Sequence, residues 1–113
     1  MRSTTSYRSG ELVLVAFPFT GGTRAKPRPA LVILDSGDAD VVVARVTTQP
    51  YGTAFDVTIL DWRAAGLLAP SVVRLHKLAS LAKSLIGRSL GQVSASDRQR
   101  IATVLQGTFG TWT

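Results

Sequence analysis

The chain of 113 residues has no cysteine, a single histidine and only seven acidic side chains. Without cysteine it can hold neither a disulfide framework, nor a thiolate metal site, nor a cysteine nucleophile. One histidine and scattered aspartates offer few metal ligands, and no glycine fingerprint for a nucleotide is present. The sequence therefore predicts neither a metal site nor a cofactor.

Long apolar runs are also missing. No stretch approaches the roughly 20 residues that span a bilayer, and the N-terminal MRSTTSYRSG lacks the apolar segment of a secretory signal. We therefore expect a cytoplasmic protein with no membrane partner.

Positive charge is what the chain has in excess. The chain has thirteen Lys and Arg residues, ten of them Arg, and seven Asp and Glu residues, which gives a net charge of +6 and a pI near 10.8. Arginine presents a planar fork that suits phosphate oxygens, and a basic surface commonly meets nucleic acid. Composition alone leaves a merely soluble basic protein equally open.

The pattern predicts a flexible tail over residues 1–9 and a single domain over residues 10–113. Short runs rich in β-branched residues indicate strands, separated by Gly, Pro and Asp turns. The predicted strands are ELVLVAFPF from Glu11, ALVIL (30–34), VVVARVTTQ (41–49), FDVTIL (55–60), SVVRLHKLASL (71–81) and residues 85–93, with TGGTRAKPRP (20–29) as a loop.

Helical signals are few. DWRAAG predicts one helical turn that ends at Gly66, and residues 94–106 predict the only long helix. Ser94 and Asp97 resemble a capping box, and Gly107 is placed to stop the helix. Many short strands with one C-terminal helix indicate a mainly β, α+β domain or small barrel.

Two groups of polar residues lie on predicted strands or at their ends. Arg28 stands between two prolines that restrain its backbone, just before the buried ALVIL run. Along VVVARVTTQ, alternation puts Arg45, Thr47 and Gln49 on the face opposite the core, together with Val43. Solvated charges and an ordinary wet strand face remain the alternative interpretations.

A third group lies in SVVRLHKL. Val73 and Leu75 are predicted to point one way, and Arg74 and His76 the other. Histidine is the side chain that suits acid–base chemistry near neutral pH, although a lone histidine is more often structural or simply exposed.

Together these segments resemble the MazF/PemK family of toxin endoribonucleases. The pieces that carry the resemblance are GELVLVAFPFTGG, KPRPALVIL, VARVTTQ, and GLLAPSVVRLHKL followed by IGRSLGQVSASD. The resemblance implies an SH3-like barrel (CcdB/PemK-like) with a short helical insert and a C-terminal helix. It also implies a homodimer and a cognate antitoxin protein as partner.

For the site, the resemblance implies that Arg28 and Thr47 hold catalytic positions and that Arg74 matches a further arginine. His76 falls where relatives carry an aspartate, and Ala79 where many carry an arginine. We hypothesise that His76 acts as acid or base in place of that aspartate.

The implied reaction is metal-independent cleavage of single-stranded RNA by attack of the 2′-hydroxyl. It leaves a 2′,3′-cyclic phosphate and a 5′-hydroxyl. The candidate substrate-binding residues are Lys26, Arg45, Gln49, Arg74 and Lys77, with Gln49 as the base reader and the lysines on phosphates.

Three alternative functions remain open. The chain could be a degenerate toxin homologue, changed at His76 and Ala79, or a nucleic-acid-binding barrel without catalysis. It could also be a toxin that poisons DNA gyrase, as the related CcdB group does.

Overall fold

The structure, a computed structural model, describes residues 5–17 and 26–113. In these residues the chain forms six strands, one α-helix and two short 3₁₀ helices, at Lys83–Leu85 and Gly110–Trp112. The elements are β1 (Glu11–Phe17), β2 (Lys26–Leu34), β3 (Asp40–Thr47), β4 (Asp56–Ile59), β5 (Ser71–Ala82), β6 (Ile86–Gln92) and α1 (Ala95–Phe109).

The strands form one antiparallel sheet in the order β4-β5-β3-β2-β1-β6. This confirms the predicted mainly β fold with a C-terminal helix. Strands β4 and β6 are the two edges, and within the described ranges they do not pair with each other. The sheet is therefore open rather than a closed barrel.

Both faces of the sheet carry an apolar cluster. The first cluster packs strand residues such as Leu31 and Leu75 against Ile101 of α1. The second cluster occupies the other face, and Tyr7, Leu81, Leu85 and Ile86 cover it in part. Its buried members are Val13, Val15, Ala30, Val32, Val41 and Val43. Strand segments buried on both sides read as continuous apolar runs, which explains the stretch Ala30–Val32 and the pair Val43–Ala44.

The second cluster corrects one expectation. Val43 was predicted to share a solvent-exposed face with Arg45, but its side chain is only 1% exposed. Alternation along β3 is as predicted, with Val41 and Val43 in one cluster and Ala44 and Val46 in the other. What alternation did not reveal is that the second face is also covered.

Strand β2 begins earlier than predicted. Residues 18–25 of the chain lie outside the described residues, but Lys26–Pro29 belong to the strand and pair with β1. The Val32 carbonyl accepts from Gly10, on the β1 side. Since peptide groups alternate along a strand, the nitrogens of Pro27 and Pro29 point towards β3. Pairing with β3 starts only at Ala30, so the prolines interrupt no ladder.

Helix α1 begins as predicted and ends later. The Ser94 hydroxyl oxygen accepts from the Asp97 N–H at 3.1 Å, as an N-cap does. The Asp97 carboxylate does not complete a capping box, because it accepts from the backbone N–H groups of Leu60 and Asp61 at 3.1 and 2.9 Å. Gly107 does not stop the helix, which continues to Phe109.

The predicted helical turn is confirmed before β5. The Ala65 N–H donates to the Asp61 carbonyl at 3.1 Å, and Gly66 follows with φ +90°. A Cβ at Gly66 would lie 2.0 Å from the Leu90 carbonyl oxygen. Glycine is therefore required here for both its backbone conformation and the close approach of β6.

Part of the predicted tail contacts the domain. The Tyr7 N–H donates to Asp35 at 2.8 Å, and the Arg98 guanidinium donates to Ser9 Oγ at 2.7 Å. The tail boundary at residue 9 remains a prediction.

Candidate functional site

Arg28 and Thr47 lie at the same end and on the same face of neighbouring strands. Ala30 of β2 pairs directly with Arg45 of β3, and Arg28 and Thr47 each stand two residues beyond that pair. Directly paired residues share a face of an antiparallel sheet, and so do residues two apart in one strand. The register thus places Arg28 and Thr47, for which the family resemblance implies catalytic positions, at one end of one face of the sheet.

The two side chains differ in exposure. Arg28 is exposed and pairs with Val15, a fully buried residue of β1. Thr47 is half-buried, and its Oγ1 accepts from the Gln49 N–H at 3.2 Å. That contact uses the oxygen as an acceptor and does not involve the hydroxyl hydrogen of Thr47.

Arg74 of β5 lies on the same face, since it pairs with Arg45. Its Nε donates to Asp56 Oδ1 at 2.8 Å, and the side chains of Arg74 and Asp56 are 9% and 1% exposed. The guanidinium carbon lies 3.6 Å from the centroid of the Tyr51 ring. Arg74 is thus largely buried and held by an ion pair and a ring contact.

Asp56 is ionised in this arrangement. Burial by itself would raise the pKa of the carboxyl group. Hydrogen bonds from Arg74 and from the N–H and hydroxyl of Thr53 outweigh burial and lower the pKa of Asp56 from 3.8 to about 2. A charged carboxylate therefore stands beside Arg74 over the whole physiological pH range.

A β-bulge places His76. Arg74 and Leu78 of β5 pair with adjacent residues of β3, so residues 75–77 have no partner in that ladder. His76 is exposed, and its Nε2 lies 3.5 Å from Arg74 Nη2. Bulges re-aim side chains, and here the imidazole is turned towards the Phe55 ring, with the centroids 5.2 Å apart.

Gln49 is linked to this cluster through Tyr51. The Tyr51 hydroxyl donates to Gln49 Oε1 at 3.0 Å. The part of Gln49 that is left to contact a ligand is consequently its amide nitrogen, which is a donor.

Three further cations predicted to bind substrate are exposed: Lys26, Arg45 and Lys77. Lys26 and Arg45 share the face of Arg28 by alternation, whereas Lys77 lies in the bulge with the opposite alternation. We call Lys26, Arg28, Arg45, Thr47, Arg74 and His76 the basic face.

Sequence reasoning missed Tyr51, Phe55 and Asp56. The signal for Asp56 was Arg74 itself, because an arginine among apolar strand residues requires a counter-ion when it is buried. Which of the aspartates supplies it depends on the pairing of β4 with β5. Nothing in the sequence pattern distinguished the Tyr51 ring from an ordinary loop aromatic, or the Phe55 ring from an ordinary aromatic of the predicted strand 55–60.

The candidate residues lie on a sheet face on which Lys26, Arg28, Arg45 and His76 are exposed. A cavity of about 230 Å³ lies elsewhere, between α1 and β2, and residues such as Leu31, Arg98 and Ile101 line it. Over residues 5–17 and 26–113, no cluster of three or more His, Asp or Glu side chains could hold a metal ion. The described residues include no helix long and apolar enough to cross a membrane.

The fold is shared with solved toxin structures. A mycobacterial endoribonuclease aligns with a TM-score of 0.74 at 20% identity, over 96% of each chain. A second mycobacterial endoribonuclease, in complex with its cognate antitoxin, gives 0.70 at 23% identity over 93% of this chain and 96% of that one. MazE–MazF from Deinococcus radiodurans gives 0.72 at 24% identity over 90% and 94%.

Family membership is shown by the sequence. Residues 8–109 match the family model of the PemK-like, MazF-like toxins of type II toxin–antitoxin systems, and the chain belongs to this family. No curated protein matches the chain.

Proposed function

We propose that this toxin is an endoribonuclease that cleaves single-stranded RNA without a metal ion. The observation that carries the proposal is the placement of Arg28 and Thr47 at one end of one face of adjacent strands. Membership of the MazF-like toxin family supports it, as do structural neighbours described as endoribonucleases.

The reaction needs little machinery. The 2′-oxygen loses its proton and forms a bond to phosphorus, while the bond from phosphorus to the 5′-oxygen breaks and that oxygen gains a proton. Negative charge grows on the phosphoryl oxygens, where fixed donors stabilise the transition state. The Arg28 guanidinium and the Thr47 hydroxyl are those donors, and the products are a 2′,3′-cyclic phosphate and a 5′-hydroxyl.

His76 is our candidate for acid or base. It is exposed on the basic face, and Arg74 is its charged neighbour at 3.5 Å. General acid–base groups contribute about 10²–10⁴-fold, so His76→Ala should slow cleavage and flatten its pH profile. Cleavage by His76→Ala at the wild-type rate from pH 5 to 8 would remove His76 from the mechanism.

The surrounding residues supply substrate contacts. Lys26, Arg45 and Lys77 are exposed cations suited to phosphates, and the amide nitrogen of Gln49 can donate to a base edge. Single strands are favoured because their bases can be splayed for edge contacts and for in-line attack.

The assembly completes the proposal. A cognate antitoxin protein inhibits the toxin. The toxin acts as a homodimer, and toxin and antitoxin are located in the cytoplasm. A neighbour crystallised with its cognate antitoxin supports the first point. Light scattering tests the second, because a dimer has twice the 12.0 kDa mass of one chain.

The decisive experiment incubates the purified protein with mixed-sequence single-stranded RNA in excess EDTA and identifies product ends by mass spectrometry. Arg28→Ala should cut at least about 100-fold more slowly, as when one oxyanion donor is removed. Arg88→Ala is the matched control, because Arg88 is an exposed strand arginine on β6, at the far edge of the sheet. It should cut at the wild-type rate.

Each other outcome selects another function. Intact RNA, with binding that weakens as salt rises, would indicate a degenerate toxin or a binding protein without catalysis. Absence of both cutting and binding would favour a toxin that acts on a protein target.

A further inference from the structure

The exposed rings of Tyr51 and Phe55 lie next to His76, at one edge of the basic face. Tyr51 is 36% and Phe55 39% exposed, and His76 is exposed with its ring 5.2 Å from that of Phe55, at an angle of 42°. We call Tyr51, Phe55 and His76 the aromatic platform. Large rings at a surface lose favourable burial, so a cluster of them indicates a surface that is covered in a complex.

The platform is held by buried polar contacts beneath it. Arg74 lies at its centre: the guanidinium lies over the Tyr51 ring at 3.6 Å and reaches His76 at 3.5 Å. Asp56 fixes the other side of Arg74 through its Nε at 2.8 Å. The rings are thus positioned before any ligand arrives, which reduces the entropy lost on binding.

The surroundings of the platform identify the chemistry of its ligand. Arg45 is exposed and pairs directly with Arg74, whose guanidinium contacts both Tyr51 and His76. Rings flanked by cations match a nucleic-acid strand, in which bases stack on aromatic side chains while phosphates contact Lys and Arg. Asp56 does not oppose this, since its side chain is 1% exposed and already paired.

We propose that the aromatic platform is a nucleobase-binding subsite, on which one unpaired base of the RNA stacks, and that Arg74 and Asp56 are its positioning residues. This inference rests on the proposed RNA substrate and adds to it a determinant of sequence preference. The proposed subsite lies next to the face that carries Arg28 and Thr47, because Arg74, which contacts Tyr51 and His76, pairs with Arg45 on that face.

The test measures how the removal of single bases from an RNA probe weakens its binding, first in the wild type and then in a variant that lacks one ring. The probe is a short RNA with the mapped cleavage sequence and a 2′-deoxy residue at the cut position, so that it binds without being cut. A series of such probes lacks one base at a time. In the wild type, one position should weaken binding by about five- to a hundredfold when its base is removed.

Phe55→Leu should erase the penalty at that position and leave the others unchanged. Phe109→Leu is the matched control, because Phe109 is similarly exposed, at 45%, at the C-terminal end of α1. It should reproduce the wild-type profile. Identical profiles for wild type and Phe55→Leu would overturn the subsite.

Arg74→Lys tests the positioning role, since lysine keeps the charge but loses the planar fork. It should reduce the penalty at the same position only, and an equal loss at every position would overturn that role. RNA that is cut without any position coupled to Phe55 refutes the subsite alone. RNA that is neither cut nor bound by the wild type refutes the proposed function, and the subsite with it.

Discussion

Replacing Asp56 with alanine should be among the most destabilising single changes next to the basic face. The substitution removes the acceptor for Arg74 Nε at 2.8 Å and for the N–H and hydroxyl of Thr53 at 2.9 and 2.7 Å. It also leaves a guanidinium with 9% exposure next to Arg45, its partner in the ladder.

The size of the effect follows from burial. Breaking a buried ion pair by removing one partner costs about 3–5 kcal/mol, because the other charge is left uncompensated. Arg74 keeps some exposure and its contact with Tyr51, so we expect a loss of stability at the lower end of this range. In a chain of this length about 3 kcal/mol corresponds to roughly 12 °C in Tm.

The assay is urea unfolding of four proteins: wild type, Asp56→Ala, Arg74→Met and the double variant. The double variant removes both charges, so its loss should fall short of the sum of the single losses by about 2 kcal/mol. Asp40→Ala is the control, because Asp40 is exposed at the start of β3, and its free energy of unfolding should change by less than about 0.5 kcal/mol. Additive losses, or an Asp56→Ala protein as stable as the control, would refute the reasoning.

The remaining predictions concern acid, the helix contact and one glycine. Hydrogen bonds lower the pKa values of Asp35 and Asp56 to about 2, so their contribution to stability is full above about pH 4 and is lost as pH falls towards 2. Between about pH 4 and pH 2, the free energy of unfolding should fall more steeply with decreasing pH in the wild type than in Asp56→Ala. Asp97→Ala should cost about 3 kcal/mol in urea unfolding, because two backbone N–H groups lose their acceptor, and a loss under 1 kcal/mol would contradict this. Gly66→Ala should lower Tm much more than Gly37→Ala. Both have positive φ, but only at Gly66 does a Cβ meet a backbone oxygen, at 2.0 Å.

Elements with a strong local signal were predictable from the sequence. The strand character of ALVIL, the alternation around Arg45 and the cap at Ser94 depend on nearest neighbours along the chain, and the structure confirms all three, although Leu34 at the end of ALVIL is exposed. Gly107 shows the limit of such signals. Glycine ends a helix only where a left-handed residue is needed, and here the helix passes through it to Phe109.

The candidate site was predictable in part. Alternation placed Arg45 and Thr47 on one face, and likewise Arg74 and His76. The missing information was the order of the strands, which alone brings Asp56 beside Arg74 and Phe55 beside His76. The ion pair of Arg74 with Asp56 joins residues 18 positions apart, and the ring contact of Phe55 with His76 also spans two strands, so neither can be predicted without the fold.

Arg28 and Thr47 lie on the same face of their strands as the residues of the second apolar cluster. Along β2, Arg28 follows the row of Ala30 and Val32, and along β3, Thr47 follows that of Val43. A slip of one residue would exchange the residues of the two apolar clusters and turn exposed Arg28 or Arg45 towards the first cluster, so packing fixes the register. Since Arg28 and Thr47 lie on the same two strands, that register also determines which of their side chains can meet a phosphate. The placement of the proposed catalytic pair is therefore a consequence of apolar packing a few residues away, and it does not require a direct contact between the two.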